Sequence, residues 1–186
     1  MLYRVSFFVV ILMSVLVLSV SAQTHFAIES QNLVSNNELS PAITGYMTHG
    51  FTESQLGTFA WLLVGEHWAE GYAGLTYMPL SWCQVGLGFG MEQADDLWRV
   101  GGSLWIGNGS WSILMLLENG GSGFWHRVVV NYRIGTVVGI GFMSQESVGV
   151  GPRFELNVPK LPVQLWASLL RKDRNNKGYL TLKFSF

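Results

Sequence analysis

The feature that most constrains the fold is a period of two in the order of apolar and polar residues, which dominates the chain from Leu56 onward. Successive side chains of a β-strand point to opposite faces, so this period predicts strands with two unlike faces. The clearest segment is 82–92, in which Cys83, Val85, Leu87, Phe89 and Met91 alternate with Gln84, Gly86, Gly88, Gly90 and Glu92. The chain is therefore predicted to be all-β.

Short runs of turn-forming residues interrupt the alternation at regular intervals. Gly-Asn-Gly at 107–109, Asn-Gly-Gly at 119–121 and Asp-Asp at 95–96 are examples. Glycine, asparagine and aspartate favour hairpin turns because they tolerate positive φ angles or bond to their own backbone. Counted back from the C-terminus, the predicted strands are 177–186, 161–171, 147–157, 136–143, 123–133, 110–118, 97–106, 82–92, 70–79, 56–66 and 43–51.

The face that carries the large side chains distinguishes a membrane barrel from a soluble β-protein. A soluble barrel fills its interior with large apolar residues, whereas a membrane barrel turns them toward lipid and keeps polar groups inside. Here the polar face is mostly glycine, serine and charges of both signs. Trp98, Trp111, Phe124 and Tyr132 fall near predicted turns on the apolar face, where interfacial aromatic girdles lie. The pattern predicts a transmembrane antiparallel up-and-down β-barrel in contact with membrane lipid.

The N-terminal segment predicts export. Arg4 precedes an unbroken apolar run over 7–18, and Val20-Ser21-Ala22 supplies the small residues of a signal-peptidase site. A membrane anchor is the alternative, but the run is shorter than the roughly 20 residues that span a bilayer as a helix. We expect a signal peptide over 1–22, cleaved after Ala22, and a single barrel domain over 23–186.

The last strand carries the most specific local signal. Leu180, Leu182, Phe184 and Phe186 alternate with Tyr179, Thr181, Lys183 and Ser185, and the final residue is Phe186. This segment resembles the closing strand of bacterial outer-membrane β-barrel proteins. The resemblance implies that the assembly machinery recognises Leu180, Leu182, Phe184 and Phe186, and that the protein resides in the outer membrane of a Gram-negative type of envelope.

Parity then requires a further strand. Single-chain bacterial barrels contain an even number of strands, whereas the predicted strands number eleven. His25–Gln31 is the only candidate for a twelfth strand, followed by an outer loop over Asn32–Pro41. Ten strands, with everything before Leu56 as a plug or tail, is the alternative. Pro152 fits poorly in mid-strand, because proline removes a ladder hydrogen bond and normally marks an edge or bulge.

The inward face carries charges of both signs. With Phe186 at the periplasmic end, the acidic residues concentrate toward the outer mouth, and the predicted pore-lining residues are Glu66, Glu70, Glu92, Arg99, Glu118, Arg127, Arg133, Arg153, Glu155 and Lys183. One interpretation is a porin-like channel in which opposed clusters select small polar solutes or ions. The other is a filled structural barrel in which these charges pair. Inward glycines favour open volume, and the near-cancellation of charge favours pairing.

An enzyme at the outer rim is the third hypothesis. His67 lies between Glu66 and Glu70, and such a pairing is what a hydrolase or acyltransferase would need. His67 is more simply an exposed turn residue, and no known lipase or protease motif is present.

No metal-ligand spacing or nucleotide fingerprint predicts a cofactor. Without Arg4, 10 of the 11 basic residues remain against 12 acidic ones, a balance that predicts no nucleic-acid partner.

Overall fold

The computed structural model describes residues 24–35, 38–51 and 53–186. The predicted signal peptide over 1–22 lies outside the described residues. The strands are β1 (Thr24–Ser35), β2 (Glu38–Gly50), β3 (Leu56–Gly65), β4 (Ala69–Leu80), β5 (Cys83–Glu92), β6 (Trp98–Gly107), β7 (Trp111–Gly120), β8 (Gly123–Ile134), β9 (Val138–Gln145), β10 (Gly149–Asn157), β11 (Val163–Lys172) and β12 (Asn175–Ser185). None of these residues forms a helix long and apolar enough to cross a lipid bilayer.

The twelve strands form one closed antiparallel barrel in which each strand pairs with its neighbours along the chain. β1 pairs with β12 and completes the ring. At the end of this seam, the Phe186 N–H donates to the Phe26 carbonyl at 2.7 Å, and the Phe26 N–H donates to the Phe186 carbonyl at 3.0 Å. The prediction of twelve strands is confirmed, and the alternative of ten strands is wrong.

The first hairpin differs from the prediction. β1 extends to Ser35 and β2 begins at Glu38, so most of the predicted outer loop over Asn32–Pro41 is strand. Pro41 is tolerated there because β2 pairs with β3 only from Ala42 onward, which leaves Pro41 with a strand neighbour on one side. From β3 onward, the predicted boundaries lie within two residues of those observed.

Pro152 interrupts one ladder without shifting its register. It pairs with Phe142 of β9. On the β11 side, pairing passes from Val150 opposite Arg171 to Arg153 opposite Ser168, with no paired residues between them. The two pairs belong to the same register, so the missing proline N–H creates a local gap in place of the expected edge or bulge.

The outer surface of the barrel carries a hydrophobic band. Its side chains come from the predicted apolar face, and large ones remain more than half exposed, among them Leu75, Leu87, Phe89, Phe142, Phe154 and Leu180. The predicted girdle residues Trp98, Trp111, Phe124 and Tyr132 are also exposed. A surface of this kind is stable against lipid and costly in water. It is the surface of a transmembrane barrel.

Candidate functional site

Four charged side chains from β4 to β7 form a buried cluster inside the barrel, which we call the acidic wall: Glu70, Glu92, Arg99 and Glu118. Arg99 Nε lies 3.1 Å from Glu70 Oε2, and the same guanidinium pairs with Glu92 and Glu118. All four side chains are at most 6% exposed. Because one arginine faces three glutamates, the acidic wall has a formal charge of −2.

Neutral donors stabilise the surplus carboxylates of the acidic wall. The Tyr72 hydroxyl donates to Glu118 Oε1 at 3.0 Å. At the neighbouring turn, the Ser122 backbone N–H donates to Glu92 Oε1 at 2.6 Å, and its hydroxyl donates to Glu92 Oε2 at 2.8 Å. Buried carboxylates need such partners, since an unpaired one costs several kcal/mol (about 3–5). The acidic wall is therefore a fully bonded structural network.

The opposite side of the interior, formed by β8 to β12 and β1, carries most of the cations, and we call it the basic wall. Arg127 Nε donates to Gln145 Oε1 at 2.8 Å, and its Nη2 donates to Gln31 Oε1 at 3.3 Å. The guanidinium lies 5.4 Å from the Trp125 ring centroid. Among the described residues, no carboxylate forms an ion pair with Arg127. Its charge is therefore held in place by neutral groups.

Two other cations of the basic wall, Arg153 and Lys183, have carboxylate partners. Arg153 Nε donates to Glu155 Oε1 at 2.8 Å, and its guanidinium stacks 3.7 Å from the Trp166 ring centroid. Lys183 Nζ lies 3.7 Å from Glu29 Oε1. Arg133 is exposed near the opposite end of β8 from Arg127. It shares a row with Gly139 and Glu155, so its register position faces inward.

Aromatic rings fill the glycine face beside the acidic wall. Phe59 and Tyr72 pack edge to face with centroids 5.8 Å apart. A Cβ on Gly88 would lie 2.9 Å from Phe59 Cζ, and one on Gly101 would lie 2.7 Å from two carbons of the Tyr72 ring. The expectation that inward glycines leave open volume is wrong at these positions, because rings from β3 and β4 occupy the space.

Open space remains at the end of the barrel that is predicted to be the outer one, where the turns after β3, β7 and β9 meet. This cavity, which we call the outer vestibule, has a volume of about 520 Å³. It lies between Glu70 and Arg99 on one side and Arg127 and Tyr179 on the other. The vestibule thus brings together part of the acidic wall and Arg127, a cation of the basic wall that is held by neutral groups. Glu92 and Glu118 are not among its lining residues.

The rim of the vestibule carries two of the residues considered for catalysis or charge, His67 and Glu66. His67 is 88% exposed and lies 3.5 Å from Glu66, which is itself in the turn after β3. On the far side, Lys172 donates to Glu146 at 3.1 Å and, with the Ser147 N–H, holds the pKa of this turn carboxylate below its usual range. The exposed His67 and Glu66 form an ordinary turn pair. Among the described residues, no cluster of histidine, cysteine, aspartate and glutamate could hold a metal ion.

Several interior residues escaped the sequence-based prediction. Gln31 and Gln145 accept hydrogen bonds from Arg127, Tyr179 accepts one from Gln145, and Tyr72 donates one to Glu118. Glu29, the partner of Lys183, lies in the weakly alternating first strand. All five occupy the polar phase of their strands, which was the available signal. A search limited to charged residues in the clearly alternating segments did not include them.

No protein-family model matches the sequence, and no curated protein does either. Solved structures do match. A KdgM porin has 12% sequence identity and a TM-score of 0.59, with 86% of this chain and 99% of that chain covered. A KdgM porin in complex with disordered oligogalacturonate gives 12% identity, the same coverage and a TM-score of 0.60. A NanC porin gives 10% identity, 86% and 98% coverage and a TM-score of 0.53. This chain has the fold of these porins.

Proposed function

We propose that the protein is a passive channel of the bacterial outer membrane for small polar solutes or ions. The observation that carries this proposal is the outer vestibule, in which the unpaired Arg127 faces the surplus negative charge of the acidic wall. The fold likeness to porins supports it. Channels of this kind select solutes by the charges that line a narrow polar passage.

The two walls carry opposite charge. Apart from Lys172 and Lys177, which share the inward phase at the rim, the basic wall contains Arg127, Arg133, Arg153 and Lys183 against Glu29 and Glu155, a formal charge of +2. The acidic wall has −2. The resulting field runs across the barrel and acts strongly in a narrow, partly desolvated passage. A polar solute in the vestibule would be oriented by this field.

The packing restricts where a solute can pass. Phe59 and Tyr72 fill the glycine face beside the acidic wall, and Glu92 and Glu118 lie buried behind the network. We therefore place the passage along the basic wall, with Arg127 as the first arginine that an entering solute meets inside the rim. Of the predicted pore-lining residues, Glu92 and Glu118 act through their charge and make no contact with the solute.

Planar-bilayer conductance tests the channel. The purified protein should produce discrete conductance steps. Reversing the charge with Arg127→Glu should shift the reversal potential in a salt gradient toward cation selectivity, because the substitution removes the unpaired cation from the vestibule. Arg174→Glu, the same charge change in the turn after β11, is the control and should have a much smaller effect. Absence of steps from the wild-type protein would reject the channel.

A filled structural barrel is the second candidate, and the aromatic rings over Gly88 and Gly101 favour it. If the rings close the lumen, wild-type protein should be silent and Phe59→Ala should produce conductance, since the substitution removes a ring that is 4% exposed inside the barrel. Phe89→Ala, on the lipid-facing surface, is the control. Equal conductance of wild type and Phe59→Ala would contradict the filled barrel.

Export and assembly complete the proposal. The protein would be exported by the signal peptide over 1–22, cleaved after Ala22, and inserted by the outer-membrane assembly machinery. The alternation in β12 supports recognition of its closing strand, since Leu180, Phe184 and Phe186 are exposed on the lipid-facing surface. Outer-membrane lipid is then a partner of the whole hydrophobic band.

A further inference from the structure

We propose that Arg127 and Tyr179 form a binding site for an oxyanion, the carboxylate or phosphate group of a small organic acid that enters the outer vestibule. The proposal deepens the proposed function, because it names the class of solute that the basic wall retains. It rests on that function only in requiring that solutes reach the vestibule. The site is built from side chains of β1, β8, β9 and β12.

The orientation of Gln145 follows from its partners. A guanidinium has only donors, so the amide atom 2.8 Å from Arg127 Nε must be the oxygen. The amide nitrogen of Gln145 is then left to donate to the Tyr179 hydroxyl oxygen at 2.9 Å. Since this oxygen accepts from Gln145, the hydroxyl hydrogen of Tyr179 remains available as a donor. Tyr179 lines the vestibule and is 8% exposed.

The orientation of Gln31 is fixed in the same way. Its amide oxygen accepts from Arg127 Nη2 at 3.3 Å, and its amide nitrogen donates to Glu29 Oε2 at 2.9 Å. The acceptors beside Arg127 are therefore already used. In the part of the chain that the structure describes, the Nη1 hydrogens of Arg127 find no acceptor.

The site therefore presents donors and one positive charge to the vestibule. A carboxylate or a phosphate is acceptor-only when ionised and matches such a set, and charge-assisted bonds to arginine are the strong ones. The glutamines hold the guanidinium before the ligand arrives, so little side-chain freedom is lost on binding. The acidic wall across the vestibule repels the same anion toward Arg127. A vestibule of about 520 Å³ has the size of pockets that hold small organic molecules.

Calorimetric titration of the full-length mature protein in detergent tests the site without requiring transport. The probes are D-glucuronate, D-glucose 6-phosphate and D-glucose, which share one ring and differ in their C6 substituent. At least one acid should bind and glucose should not, and the acid that binds more tightly identifies carboxylate or phosphate as the preferred group. Arg127→Gln should raise the dissociation constant of that acid by at least about tenfold. Tyr179→Phe should raise the same dissociation constant by about three- to tenfold.

Arg174→Gln is the matched control, because it removes one arginine from the turn after β11, which does not line the vestibule, and it should leave affinity unchanged. Equal binding of glucose and the acids would overturn the site, as would unchanged affinity in Arg127→Gln. If Arg127→Gln does not fold, as judged by the heat-modifiable gel shift, Tyr179→Phe carries the test, and unchanged affinity again overturns it. Binding without conductance would support the site and reject the channel, and conductance without acid binding would reject the site alone.

Discussion

Replacing Arg99 with alanine is expected to destabilise the barrel by about 3–5 kcal/mol, the largest effect of any single substitution considered. Arg99 is the cation that Glu70, Glu92 and Glu118 share, and all three carboxylates are buried. Its removal leaves three like charges inside the barrel with only neutral donors. Urea unfolding in lipid vesicles, followed by tryptophan emission, measures the loss as a lower midpoint.

Two further variants test whether the effect of Arg99→Ala comes from the buried carboxylates that it leaves without a cation. Arg133→Ala removes an exposed interior arginine and should change stability by less than about 1 kcal/mol. Combining Arg99→Met with Glu92→Gln and Glu118→Gln removes most of the uncompensated charge and should recover much of the lost stability. If Arg99→Ala proves as stable as Arg133→Ala, the acidic wall is not the bonded network described above.

Alanine at Gly101 is expected to cost about 1–3 kcal/mol, the usual range for an added methyl group in a packed interior. The new Cβ would lie 2.7 Å from Cε2 and Cζ of Tyr72. That ring cannot move freely, because its hydroxyl bonds to Glu118 and its face lies near Trp61. The urea midpoint should fall in the same vesicle assay.

The neighbouring glycine provides a control for the Gly101 substitution. Gly102 points to the other face of β6, where a Cβ would meet nothing closer than 3.8 Å, so Gly102→Ala should be nearly neutral. In a double-mutant cycle, Gly101→Ala should cost little in a Tyr72→Ala background, since the clashing ring is gone. Equal costs for the two glycine substitutions would show that strand propensity, and not ring packing, decides stability here.

The fold could be predicted from the sequence because the alternation of apolar and polar residues shows directly which face of a strand each residue occupies. Segment 82–92 shows this, since Leu87 and Phe89 are exposed to lipid and Glu92 is buried inside, as the period predicted. Even the twelfth strand followed from parity. The extent of β1 and β2 could not be predicted, because the polar segments 32–35 and 38–41 are held as strand by pairing with β12 and with each other.

The hydrogen-bond partners of the side chains inside the barrel could not be predicted from the sequence. Arg127 and Gln31 are 96 residues apart, and Tyr72 and Glu118 are 46 apart. Which inward residues meet across a barrel depends on the register of every strand between them, and one alternation pattern is compatible with many registers. The filling of the glycine face has the same origin, since the rings over Gly101 and Gly88 come from β3 and β4.

The seam between β1 and β12 has a consequence for how the barrel forms. Its nine paired rungs join residues at least 142 positions apart, the separation of Ser35 from Lys177. Hairpins between neighbouring strands can form early from local contacts, but this ladder carries the full entropic cost of loop closure. Closure should therefore be the slow, late step of folding, and until it occurs two unpaired strand edges remain open to aggregation.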